Sequence, residues 1–192
     1  MQHPSLQLSI GDQHLLLQLA RSSVQAVCMG QDPPPLPTDA PAHLHTGAAA
    51  FVTLYREGQL RGCIGTFDNS TPLLNNIVNM AEAAALRDPR FPPVSAEELP
   101  HISLAISVLT PPIPIDDIEK IIVGTHGIVI SQGHRRGVLL AKVAVEQRWD
   151  RDTFLEQTCR KAGLLPQAWH RFGYDPTLSI AVFQELSFAE ET

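Results

Sequence analysis

Sixteen prolines punctuate the chain, and their clusters decide where regular structure can lie. Proline has no N–H to donate and holds φ near about −65°, so it ends helices and is kept out of central strands. The segment DPPPLPTDAP (32–41) is therefore neither helix nor central strand but a stiff extended connector. Phe91-Pro92-Pro93 and Pro111-Pro112 cut the chain again. Regular elements have to fit between these breaks.

They do, with recognisable periods. Leu6, Leu8 and Ile10 alternate with polar residues, as in a short strand or an ordered arm. Leu15, Leu16, Leu19, Ala20, Val24 and Val27 keep helical spacing, which predicts a helix over 13–28 with Asp12 as N-cap and Gly30 just past its end. Segments 48–54 and 60–67 read as a hairpin turned by Glu57-Gly58. Thr71 and Pro72 suit an N-cap and first helical position, and the stripe from Leu73 to Ala85 predicts a helix over 72–87. Ile102, Leu104, Ile106 and Val108 alternate in a strand over 102–109. A second hairpin is expected from 127–131 and 137–141 with Gly133 near its tip, then a helix over 151–162 and a closing strand over 178–185. Hairpins, not regular crossover helices, join the strands. The fold class is α+β, with a largely antiparallel sheet flanked by helices.

Composition narrows the function classes. A chain of 192 residues forms one domain with room for two lobes, and 44% hydrophobic against 18% charged residues is a globular balance. A formal net charge of −6 argues against a nucleic-acid surface. The three cysteines, Cys28, Cys63 and Cys159, form neither a disulfide framework nor a zinc pattern. Reduced thiols point to a cytoplasmic protein, and no stretch is apolar enough to span a membrane. His43 and His45 have no third ligand nearby in the sequence, so no metal site is expected.

One stretch carries chemistry: LRGCIGTF, residues 60–67. A two-residue period puts Arg61, Cys63 and Gly65 on one face and Leu60, Gly62, Ile64 and Thr66 on the other, with Leu60 and Ile64 in the core. On this reading Gly62 and Gly65 clear space for a ligand to approach the backbone. A guanidinium about 6 Å from a sulfur favours its thiolate by roughly 0.7 to 2.8 kcal/mol at an effective dielectric constant between about 80 and 20. Cys63 is then a candidate nucleophile, with Arg61, Gly62 and Gly65 binding its ligand. The competing reading makes Cys63 a small buried filler in a glycine-rich strand.

Other residues carry weaker signals. His126, within Gly124-Thr125-His126-Gly127, is either a base or the cap of a turn. Arg135 and Arg136, beside His134 at the expected hairpin tip, either bind a small anion or form a solvated turn. Asp88 and Arg90 flank Pro89 and suit a local ion-paired turn. Glu146 and Trp149 either line a cleft or serve core and capping roles.

Several longer stretches occur in order: LRGCIGT (60–66), AALRDPRFPPV (84–94), ISVLTPP (106–112), VGTHGIVI (123–130), RRGVLL (135–140), VAVEQRWDRDTFLEQTCRKAGL (143–164) and the region of Trp169. Together they resemble the AMMECR family, whose bacterial branch is protein A of the AmmeMemoRadiSam system. Lys142 stands where related proteins often have proline. The resemblance implies a two-lobed α+β unit over 1–192, with a main lobe from both chain ends, a smaller inserted lobe at about 68–110 and the LRGCIG segment near a cleft. It also implies a Memo-like protein and a radical SAM protein as partners, and it names no cofactor. Two functions stand on this basis. One is an enzyme or enzyme component acting on a small, anionic molecule at Cys63; the other is a non-catalytic adaptor that docks on a protein partner.

Overall fold

The computed structural model describes residues 8–190. In chain order its elements are α1 (Ile10–Cys28), β1 (Ala50–Arg56), β2 (Gln59–Thr66), α2 (Leu73–Leu86), β3 (Ile102–Leu109), β4 (Ile113–Pro114), β5 (Gly127–Gln132), β6 (Arg135–Leu139), α3 (Ala141–Glu146), α4 (Arg151–Lys161), β7 (Leu178–Phe183) and β8 (Glu185–Ala189). The class is α+β, and the sheets are built from antiparallel pairs. No described helix is long and apolar enough to cross a membrane.

Contacts divide the chain into two units. One unit runs to Leu109 and resumes at Leu186; the other is Thr110–Glu185. The inserted lobe expected at about 68–110 is thus misplaced. Residues in that range form α2 and β3, and β3 pairs along the whole of β1, which binds them into the first unit.

The first unit carries a sheet in the order β2-β1-β3-β8, so β2 is an edge strand. Leu16, Ala20 and Val24 of α1 and Leu74, Ile77 and Ala81 of α2 bury against Val52, Leu54, Leu104 and Ile106. Each fully buried Leu or Ile side chain contributes roughly 1.5–3 kcal/mol, so this interior holds the edge strand's backbone in place. The α1 cap is Ser9, not Asp12: Ser9 Oγ accepts the Asp12 N–H, and the Asp12 carboxylate accepts from the Ser9 N–H in return. Ile10 already lies in that helix, so the alternation at the start is not a strand there; Leu6 lies outside the described residues. The β1–β2 turn places both Glu57 and Gly58 at positive φ, 52° and 76°, as a tight two-residue hairpin turn requires.

The second unit carries a sheet in the order β4-β7-β5-β6. Its core gathers Ile128, Ile130, Phe154, Leu155, Ile180 and Val182. Two boundaries differ from expectation. The strand expected over 137–141 is β6 at Arg135–Leu139, and the chain turns into the short helix α3 at Ala141. The closing strand is two strands, because pairing passes from the second sheet to the first between β7 and β8.

Candidate functional site

On an edge strand, the N–H and C=O of alternate residues face away from the sheet and need partners. Cys63 is such a residue on β2. Its N–H donates to Asp88 Oδ2 at 2.8 Å, and its C=O accepts from Arg90 Nη2 at 3.1 Å. Asp88 and Arg90 thus supply the edge with the donor and acceptor that a further strand would offer. Asp88 also grips Arg90 itself, accepting from Nε at 2.9 Å, from Nη2 at 2.6 Å and from the backbone N–H at 3.1 Å. Only 4% of Asp88 is exposed. The Arg90 hydrogen bonds hold its carboxyl well below the usual carboxylate range, against the opposing pull of burial and with help from the Cys63 N–H.

Because the Cys63 backbone groups face outward, its register partner Thr53 sits in a pair without mutual backbone hydrogen bonds. Side chains come closest in such pairs. The buried Thr53 hydroxyl donates to Cys63 Sγ at 3.1 Å. The half-buried Cys63 therefore has a hydroxyl donor to its sulfur on the neighbouring strand and the Arg90 guanidinium on its carbonyl. The local ion pair read from Asp88 and Arg90 is present, and it reaches 25 residues back to hold Cys63.

Arg61 does something else. Leu54 pairs with Gly62 but Tyr55 pairs with Leu60, which leaves Arg61 as the extra residue of a β-bulge. The bulge shifts the two-residue phase, so Leu60, expected in the core, is 41% exposed, while Ile64 beyond it still packs on the interior. The Arg61 guanidinium forks onto Glu98, with Nε–Oε1 2.9 Å and Nη2–Oε2 2.8 Å, and donates to the Pro92 carbonyl at 2.9 Å. That bidentate pair pulls the Glu98 carboxyl down to about 2. The thiol near this pair is Cys28, pushed up chiefly by burial and then by Glu98, with Arg61 opposing.

The glycines of the motif are packing residues. A Cβ at Gly62 would lie 2.3 Å from the Ala84 carbonyl oxygen of α2, and one at Gly65 would lie 2.1 Å from the Phe51 ring. The space expected for a ligand at these two positions is filled by the protein itself.

The remaining expected site residues belong to the second unit. His126 is buried, and its Nδ1 accepts the Ile122 N–H at 3.2 Å, the turn-capping arrangement. It lines a cavity of about 350 Å³ with Ile113, Ile115, Ile122 and Val182. Arg135 and Arg136 lie on β6 rather than in the turn, both exposed, and Arg135 Nη1 donates to the Gly163 carbonyl at 3.1 Å. Among the described residues, no group of three or more His, Cys, Asp or Glu side chains could hold a metal ion.

A family model for AMMECR1 matches residues 17–188. The chain belongs to the AMMECR1 family. A protein from Methanothermobacter thermautotrophicus is 40% identical over 190 residues, covering 96% of this chain and 97% of that one. One from Nanoarchaeum equitans is 37% identical over 183 residues, covering 92% and 99%. The solved structure of an uncharacterized protein from Pyrococcus horikoshii superposes with a TM-score of 0.81 at 36% identity, over 93% of this chain and 91% of that one. The matched region takes in β2, the Asp88-Pro89-Arg90 turn and Thr53 together. For this AMMECR1 chain, sequence reasoning found Cys63 but not its neighbours. The available signal was the Asp-Pro-Arg stretch closing α2, and its partner became visible only with the strand edge in place.

Proposed function

We propose that the protein acts on a small molecule through the thiol of Cys63, as one component of a pathway with a Memo-like protein and a radical SAM protein. One observation carries the reading: the Thr53 hydroxyl, the Arg90 guanidinium and the buried Asp88 carboxylate are organised around a single cysteine. The thiolate is the nucleophile of cysteine chemistry, and the Thr53 hydroxyl stands ready as a hydrogen-bond donor to that sulfur. The pathway partners rest on the family resemblance of the quoted motifs alone. Replacement of the gene by Cys63→Ser, in a host where deletion gives a scored phenotype, tests the reading. The variant is expected to fold and to behave as the deletion does; wild-type behaviour would contradict it.

A second reading, an adaptor docking on a protein partner, is favoured by one feature of the second unit. Ile122, which lines the His126 cavity, and Val145, which a Cβ at Gly124 would touch, are both more than half exposed, large apolar side chains of the kind a partner covers. Under this reading Val145→Asp abolishes function and Cys63→Ser does not.

A further inference from the structure

We infer that Arg90 makes the Cys63 site selective for small electrophiles carrying a carboxylate or phosphate beside the reacting carbon. The inference rests on the reading of Cys63 as a reactive thiol and assigns its substrate class to a residue outside the LRGCIG segment.

Three observations carry it. First, the guanidinium is pre-oriented: Nε and Nη2 are bound by the Asp88 carboxylate and Nη2 also by the Cys63 carbonyl. Fixing the fork in advance removes most of the ordering cost that a flexible arginine meets on binding an anion. Second, one edge stays open. Nη1 donates to no acceptor among the described residues, and the side chain is 52% exposed. Third, the planar guanidinium is braced on one face, since its carbon stands 5.5 Å over the Phe91 ring. The open nitrogen therefore belongs to a cation that cannot swing away from the cysteine without losing Asp88. Arg61 shows the contrast: its fork is closed on Glu98, with Nη1 on the Pro92 carbonyl, and it has no comparable free edge.

Iodoacetate and iodoacetamide read this out on the intact protein. In both, the thiolate sulfur attacks the CH₂ carbon, the S–C bond forms as the C–I bond breaks, iodide leaves and the thiol proton goes to solvent. The reagents differ in the charge beside the reacting carbon. The iodoacetate-to-iodoacetamide rate ratio at Cys63 in low salt should exceed that of the same cysteine in the urea-denatured chain by about five- to tenfold. It should fall by at least half in about 0.5 M sodium chloride, where the Debye length shrinks to roughly 4 Å, and return to the denatured ratio or below in Arg90→Gln. The salt arm uses unaltered protein, so it stands whether or not the variant folds. A native ratio equal to the denatured ratio, with Cys63 still alkylated readily by iodoacetamide, would overturn the inference and leave the reactive-thiol reading intact. Failure of Cys63 to react with either reagent would overturn the reading and the inference with it.

Discussion

Replacing Glu98 with Gln keeps the side chain's shape and removes the charge that holds Arg61. The depression of the Glu98 carboxyl from 4.5 to about 2 corresponds to about 3 kcal/mol of native-state preference for the ion pair. Arg61 and Glu98 side chains are 11% and 16% exposed, so solvent reaches the rim of the pair and screening reduces the expected loss to about 1.5–2 kcal/mol. The sign follows from linkage. Glu98 has a folded value below its unfolded one, so its contribution is complete above pH 4.5 and disappears as pH falls toward about 2. The difference between wild type and Glu98→Gln in urea unfolding should therefore keep about three quarters of its size at pH 4 and less than half at pH 3. Cys63 alkylation should change by less than about twofold, since Arg61 acts on the fold and not on that sulfur. A pH-independent difference, or one below about 0.5 kcal/mol at pH 7, would refute the assignment of Arg61 to Glu98.

Gly62→Ala should cost about 3 kcal/mol in the same unfolding assay, because the new methyl meets backbone and not a movable side chain. Gly65→Ala should cost a comparable amount, about 2–3 kcal/mol, since the new methyl meets Phe51 Cγ, which ring rotation leaves in place; a cost below about 1 kcal/mol at either glycine would argue against this packing account. Thr53→Val should slow Cys63 alkylation about three- to tenfold at neutral pH, as expected from losing one hydrogen bond to the thiolate. An unchanged rate would mean that the 3.1 Å contact does not bear on reactivity.

Much of the fold is legible in the sequence because its signals are local. The helical stripe of α2, the alternation of β3 and the Glu57-Gly58 turn each sit within a few residues. What was hidden depends on pairing. The two-residue period predicts Leu60 in the core, but a single extra residue at Arg61 shifts the phase, and nothing local marks a bulge there. Gly62 and Gly65 look like cleared space for a ligand until Ala84 and Phe51 are seen to occupy it. The first sheet gains β8 from the far end of the chain, a partner that periodicity cannot name. The site divides in the same way. Cys63 stands out between its glycines, and Asp88-Pro89-Arg90 reads correctly as a local ion pair, but the link between them crosses 25 residues through one edge-strand N–H. The nearest arginine in sequence was the wrong cation because it faced a carboxylate that sequence distance concealed, Glu98.

On the proposed function, the surroundings of Cys63 make this cysteine reactive and leave Cys28 and Cys159 unreactive. Peptide-resolved rates of alkylation by neutral iodoacetamide, measured on native protein for all three cysteines and normalised to the urea-denatured chain, test it most directly. Cys159 is fully buried and its thiol is pushed up by burial; Cys28 is half-buried and pushed up by burial and by Glu98. Both should be protected relative to the denatured chain. Cys63 should react faster than either, at a normalised rate above one that falls in Arg90→Gln. A normalised rate for Cys63 no greater than those of Cys28 and Cys159 would contradict the claim and return the motif to a purely structural role.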